Sequence, residues 1–283
     1  MGERIMLALI FLLISVFGTF AVFFLFGNGV NPFIFFPVGI ITGFIGLIAL
    51  FFLILIILSL FIDKEKSPKS PKSFYRYYML GFISLLLGIF RVRIKKSGTE
   101  KLPDCPFLLV GNHQSVFDPM VEMLVLRKHN LAFVSKKENI AIPFGGKFMV
   151  AGGCLSLDRE NNRSAVKTIS EAAERMKSGQ FSMGIYPEGK SNKTPDEIKL
   201  LPFHSGSFKC ATKADVPIVI AVIGNARDLQ KRFFRLYNVI TLDIIDVITP
   251  EAYKGLTTSE ISDRVRDIML KAMKKNEEKE KTL

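Results

Sequence analysis

The chain has 283 residues, 49% of them hydrophobic, with 26 Phe, no Trp and a formal net charge of +12. Met1 to Ile62 carries only Glu3 and Arg4 as charges, which cancel, yet it holds 13 of the Phe. A basic body of 221 residues behind an uncharged apolar leader excludes the disordered, collagenous and disulfide-stapled secreted classes. The body is long enough for one main domain with a sizeable core.

Ile5 to Phe26 is an uncharged, largely apolar run, Gly27 to Pro32 has turn chemistry, and Phe33 to Ile62 is a second apolar run. Each exceeds the roughly 20 residues that span a hydrocarbon layer. A secretory signal fits poorly, since its apolar core is about 7 to 15 residues long and is followed by a cleavage site. The turn carries no Lys or Arg, whereas Lys64, Lys66, Lys69, Lys72 and Arg76 follow the second run. The positive-inside rule then puts both ends of the hairpin, and the body that follows, on the cytoplasmic side of an integral membrane protein. The expected organisation is a transmembrane helical hairpin over 1–62, a basic linker and interfacial apolar segment over 63–90, and a cytosolic α/β domain over 91–283.

The Pro/Ser/Lys stretch Lys64 to Ser73 is expected to lie extended near anionic headgroups. Tyr77 to Phe90 is apolar but too short to span, and basic residues flank it, which suits either an interfacial segment or a core helix of the body. Beyond Arg91, strand-like runs at Phe107 to Val110, Leu155 to Leu157, Ser182 to Tyr186, Pro217 to Ile223 and Val239 to Ile245 alternate with helical periods. Ala165, Val166, Ile169, Ala173 and Met176 recur at helical spacing before Gly179. Ile261, Val265, Ile268, Met269 and Ala272 do so behind a Thr257/Glu260 capping box. Such alternation predicts an α/β fold, a mostly parallel sheet flanked by helices. The Lys274 to Lys281 tail reads as a solvated helix end.

The first strand of the body ends in Gly111-Asn112-His113-Gln114-Ser115-Val116-Phe117-Asp118-Pro119. Open α/β sheets bind ligands at the carboxyl ends of their strands. On a single helix His113 and Asp118, five positions apart, would diverge by about 140°, so a turn must bring them together if they pair. Asp118-Pro119 is also a good helix start, with Asp at the N-cap and Pro after it.

Asn-His-Gln-Ser-x-x-Asp-Pro resembles the first signature of the glycerolipid acyltransferases, in particular the 1-acylglycerol-3-phosphate (lysophosphatidic acid) acyltransferase family. Gly153 to Arg159, Tyr186-Pro187-Glu188-Gly189 and Val216-Pro217-Ile218-Val219 are similar to its second, third and fourth blocks, in the same order. The resemblance covers roughly Arg91 to Leu242 and implies transfer of a fatty acyl group from acyl-CoA or acyl-carrier protein to the hydroxyl of lysophosphatidic acid. His113 would be the general base and Asp118 its orienting carboxylate. Arg159 would grip the acceptor phosphate with its bidentate fork, and Glu188, Gly189 and Lys190 would line the acceptor site. Amides near Gly189 or an adjacent donor would hold the oxyanion. The family's third block usually continues Thr-Arg-Ser, whereas Lys190-Ser191-Asn192 stands here, and His204 replaces a Lys of the next loop. These departures admit another lysophospholipid acceptor.

No cofactor beyond the acyl donor is expected, nor a metal, since His113, Asp118 and Glu188 stand without a His or Cys cluster at ligand spacing. The expected partners are lysophospholipid, acyl donor and an anionic membrane surface, and not nucleic acid. Cys105, Cys154 and Cys210 lie in or beside apolar strings and read as small buried hydrophobes in preference to acyl-accepting thiolates. A membrane-bound thioesterase would use the same His/Asp pair on water.

Overall fold

The structure, a computed structural model, describes residues 2–63, 68, 70, 73–158, 160–192, 194 and 199–281, the side chains of 2–8, 73 and 277–281 excepted. Most of the Pro/Ser/Lys linker lies outside the described residues. Two long helices open the chain, α1 (Gly2–Phe26) and α2 (Pro32–Leu60), joined by a turn in which the Asn31 side chain caps α2 by accepting from the Phe33 amide at 2.9 Å. They pack closely because small residues face one another. A Cβ on Gly39 would sit 2.5 Å from the Thr19 methyl, and one on Gly43 3.3 Å from the Ser15 Cβ. The hydroxyls on that seam are satisfied within α1, Ser15 by the Phe11 carbonyl and Thr19 by that of Ser15, both at 2.7 Å. Leu9–Phe26 and Pro32–Leu60 are long and apolar enough to cross a membrane, and only 11% of each is buried inside the protein. That open apolar surface suggests membrane association.

The third helix, α3 (Ser73–Ile89), buries Met79, Ile83 and Leu87, and the Arg76 guanidinium donates to the Leu131 carbonyl at 3.1 Å. Of the two readings the sequence leaves open for this stretch, packing supports the core helix, with Phe74, Tyr77 and Ile89 remaining on its outer flank.

The body is built on seven strands: β1 (Val92–Ser97), β2 (Leu108–Gly111), β3 (Ala132–Lys136), β4 (Leu155–Leu157), β5 (Met183–Ile185), β6 (Ile218–Gly224) and β7 (Asn238–Ile248). They are ordered β1-β7-β6-β2-β5-β3-β4. From β6 to β4 every pairing is parallel; β7 runs antiparallel to β6, and β1 pairs parallel with β7. The buried run of β2 is what a strand covered on both faces requires, while β7 alternates buried and half-buried positions over most of its length. Two strands, β1 and β3, go unannounced by the sequence. In β1 only Val92 is buried and Arg93, Lys95 and Lys96 dominate, as suits a charged edge that discourages further pairing.

Among the described residues, seven helices flank the sheet. They are α4 (Asp118–Val125), α5 (Lys137–Ala141), α6 (Gly145–Ala151), α7 (Asn162–Lys177), α8 (Lys209–Ala214), α9 (Pro250–Tyr253) and α10 (Thr258–Lys281). The capping box ahead of α10 forms, with Glu260 accepting from the Thr257 amide at 2.7 Å, and Ile261, Val265 and Met269 are buried behind it. In α7 the expected face is buried at Ala173 and Met176, but Val166 is 59% exposed. The Lys147 ammonium of α6 donates to the Ser59 carbonyl at 2.7 Å, tying the body to the end of α2.

Candidate active site

Because β6, β2 and β5 are parallel neighbours, their carboxyl ends share one edge of the sheet, and the loops leaving β2 and β5 meet there. The β2 loop turns sharply. The Asp118 amide donates to the Ser115 carbonyl at 3.1 Å, and Asn112 is pinned to β6 by paired bonds with Ile223 at 2.8 and 2.9 Å. The turn brings His113 Nδ1 to 2.8 Å from Asp118 Oδ2. The same oxygen accepts from the amides of Gln114 at 2.6 Å and Ser115 at 2.7 Å. Asp118 is the first residue of α4, one position inside the expected cap, and its carboxylate bonds back to the loop that precedes it. It is fully buried, and its Oδ1 has no hydrogen-bond partner among the described residues. Burial pushes the Asp118 carboxyl up, while the hydrogen bond and charge of His113 and the two amides pull it down. A carboxylate so placed fixes a proton on Nδ1 and leaves Nε2 as the ring nitrogen able to take one from a substrate.

The third block braces the first. Glu188 is 3% exposed, and its two oxygens accept from the amides of His113 and Leu201, each at 2.9 Å. The His113 carbonyl in turn accepts from the Asn192 amide at 2.7 Å. Glu188 therefore clips the loops together through main-chain groups. Gly189 has φ +77°, a conformation that favours glycine, and its amide donates to the Tyr186 carbonyl at 3.0 Å. That amide is accordingly engaged within the turn. Lys190 is exposed at the rim.

Two residues here escape sequence reasoning. The Tyr186 ring stacks on the His113 imidazole, centroids 4.2 Å apart at 6°, and its hydroxyl donates to Glu122 Oε2. Glu122 lies one helical turn beyond Asp118, fully buried, and burial, helped by the Asp118 charge, holds its carboxyl well above the ordinary value. Of the two carboxyls Glu122 is the one burial favours more strongly in its protonated form, while His113 and the loop amides favour the charged form of Asp118. Space for it depends on Gly111, where an added Cβ would come within 3.0 Å of Glu122 Oε1.

Arg159 lies outside the described residues. Its neighbour Asp158 directly follows β4 and pairs with Lys137 at 2.9 Å. The fourth block enters β6 from the opposite end, its Pro217 carbonyl accepting from the Leu108 amide at 2.9 Å, so it aligns β2 without approaching His113. Cys154 and Cys210 are buried, and burial pushes both thiols up, Cys210 to about 12. Cys105 precedes the amino end of β2. None of the three is a thiolate beside His113. Among the described residues no group of three or more His, Cys, Asp and Glu is placed to hold a metal ion.

Comparison with known proteins agrees with this arrangement. A protein-family model described as Acyltransferase matches residues 93–224. The 1-acyl-sn-glycerol-3-phosphate acyltransferase of Saccharomyces cerevisiae is 29% identical over 195 residues, 68% of this chain and 62% of that one. Its namesake from Haemophilus influenzae is 32% identical over 168 residues, 57% of this chain and 62% of that one. The human alpha form is 30% identical over 196 residues, 68% of this chain and 66% of that one. The chain belongs to this acyltransferase family. Its matches span between 62% and 66% of these three relatives' own lengths. In fold, the chain is similar to the crystal structure of the 1-acyl-sn-glycerophosphate (LPA) acyltransferase from Thermotoga maritima. There the TM-score is 0.59 and the identity 21%, over 97% of this chain and 98% of that one.

Proposed function

We propose that this protein is a membrane-bound O-acyltransferase that moves a fatty acyl group from an acyl thioester to the free hydroxyl of lysophosphatidic acid, releasing the thiol and forming phosphatidic acid. The observation that carries the reading is the His113 Nδ1 to Asp118 Oδ2 pairing of 2.8 Å at the carboxyl end of β2. His113 Nε2 takes the proton of the acceptor hydroxyl as its oxygen attacks the thioester carbonyl, and returns it to the departing thiolate. Asp118 stabilises the imidazolium in between. Tyr186 and Glu188 hold the imidazole and its backbone in place, a positioning role. Arg159 binds the acceptor phosphate and Lys190 assists. β4 stands three strands from β2, roughly 14 Å at ordinary strand spacing. The acceptor then lies across the ends of β5 and β3. The hairpin holds the site at the cytoplasmic leaflet, where both lipid substrate and product reside.

A second reading is favoured by Lys190-Ser191-Asn192, which leaves the third block without its usual Arg: the acceptor is then another lysophospholipid. The experiment that decides is thiol release by the purified full chain from an acyl thioester, with a panel of lysophospholipids. Release that depends on lysophosphatidate supports the proposal, and preference for lysophosphatidylcholine moves the assignment to the second reading. Acceptor-independent release makes the protein a thioesterase. His113→Ala should lower acceptor-dependent release by about 10² to 10⁴ while the protein still folds, and undiminished turnover would refute the mechanism.

A further inference from the structure

Among the described residues outside the two long apolar helices, the most exposed large hydrophobic side chains are Phe234, at 92%, and Leu236, at 85%. They sit in the loop Lys231-Arg232-Phe233-Phe234-Arg235-Leu236-Tyr237 between β6 and β7, and no Asp or Glu occurs from Leu229 to Leu242. The loop is braced. The Arg91 guanidinium donates to the Phe233 carbonyl, Arg232 to the carbonyls of Asn225 and Arg227, and the Asn238 amide group to Phe90 at 2.8 Å and Arg232 at 3.2 Å. Arg93 lies 4.3 Å over the Tyr237 ring and Arg91 5.7 Å over that of Phe233. A rigid tip that points two apolar side chains outward, inside a ring of arginines, is unfavourable in water and well suited to the boundary between headgroups and acyl chains.

We propose that this loop is a second membrane contact, inserting Phe234 and Leu236 into an anionic leaflet beside the active site. Charge selects the occupant, because the arginines and the net charge of +12 oppose a second copy of the chain and attract anionic lipid. Position supports it. The hairpin meets the first half of α3, the Phe51 and Tyr78 rings lying 6.3 Å apart, the 17 residues of α3 extend roughly 25 Å, and Phe90, just beyond its other end, meets the loop. The Phe90 ring bridges Phe233, at 5.4 Å, and Phe117, at 5.1 Å, and Phe117 directly precedes Asp118. Val116, 65% exposed, extends the same patch toward His113. Two attachments at opposite ends of α3 fix the orientation of the body, so that an acceptor reaches His113 without leaving the leaflet.

This inference rests on the membrane-bound reading above, and the test separates the two. The chain has no Trp, so Phe234→Trp in the full chain introduces a single fluorophore. In phosphatidylcholine vesicles containing phosphatidylglycerol, the introduced tryptophan should be blue-shifted, quenched by lipids brominated high in the acyl chain, and shielded from aqueous acrylamide. Omitting phosphatidylglycerol should weaken all three. Protein that floats with the vesicles while its tryptophan is open to acrylamide and untouched by bromine overturns this proposal alone. Failure to float overturns both. The double variant Phe234→Ser/Leu236→Ser should raise the apparent KM for vesicle-borne acceptor roughly tenfold and leave that for a monomeric short-chain acceptor unchanged. Equal loss with both acceptors would overturn the proposal.

Discussion

Asp118→Asn separates catalysis from loop folding at this site. In the wild type one oxygen, Oδ2, accepts from His113 Nδ1 at 2.8 Å, from the Gln114 amide at 2.6 Å and from the Ser115 amide at 2.7 Å. Two of these donors are main-chain and cannot reverse, so the Asn side chain must put its oxygen there and its NH2 where Oδ1 was. The imidazole thus keeps its Nδ1 proton and its tautomer, and what is lost is the negative charge that meets the imidazolium. Charge-assisted hydrogen bonds are about twice as strong as neutral ones, and unit charges ~4 Å apart at an effective dielectric of ~20 interact by about 4 kcal/mol. A transition-state loss of about 2 to 4 kcal/mol follows, or roughly 30- to 1000-fold in kcat. That is less than the roughly 10⁴-fold loss when an Asn imposes the wrong tautomer. The NH2 left buried in place of Oδ1 should also lower stability by about 1 to 3 kcal/mol. The assay is lysophosphatidate-dependent thiol release across pH, with thermal unfolding alongside. A folded variant with the wild-type rate would reduce Asp118 to a loop clip and refute the pairing as catalytic.

If Arg159 grips a terminal phosphate and Lys190 only assists, Arg159→Lys should lower kcat/KM for lysophosphatidate more than Lys190→Ala does, by about 10- to 100-fold against a few-fold, and steady-state kinetics decides. Neither change should affect slow hydrolysis of the donor. Glu122, held well above its ordinary value of 4.5 chiefly by burial, contributes stability that is complete below that value and fades as pH climbs toward the folded one. Glu122→Gln has no such proton to lose. Its unfolding free energy relative to wild type should improve with pH above 4.5, by at most about 1.4 kcal/mol per unit, and a pH-independent difference in denaturant titrations would count against a neutral Glu122. On a cysteine-free background, Gly29→Cys should be labelled from outside the cell and Lys66→Cys only from the cytoplasm; labelling of both from one side would discard the hairpin topology.

How much of this was legible beforehand differs by residue. The hairpin follows from composition, because no soluble helix pair has reason to stay uncharged for this long. The His113/Asp118 pairing was expected from the motif, though not its geometry: the expected N-cap turned out to be the first helical residue, bonded backward to its own loop. The helix periods of α7 and α10 and five of the strands were readable from spacing. β1 was hidden by Arg93, Lys95 and Lys96, which leave an edge strand no apolar alternation. Glu122 belongs to none of the four blocks, and Tyr186, though it opens the third, carries no sign in the sequence of what its ring and hydroxyl touch. Only the pairing of β2 with β5, which no local pattern announces, sets the one against the other.

That pairing also explains which departures from the family pattern the chemistry tolerates. From Tyr186 to Glu188 the third block acts inward: the Tyr186 ring lies on His113, its hydroxyl on Glu122, and Glu188 holds the His113 amide. These contacts fix where the imidazole stands, so changes here should reduce kcat whatever the acceptor. Lys190 is exposed at the rim, where the family usually has Thr. The split runs between Gly189, whose left-handed turn closes the inward half, and Lys190, which opens the outward one. A departure at Lys190 should change what is gripped, whereas Tyr186, where the family usually has Phe, and Asn192, whose amide holds the His113 carbonyl, are departures on the inward side and should alter kcat.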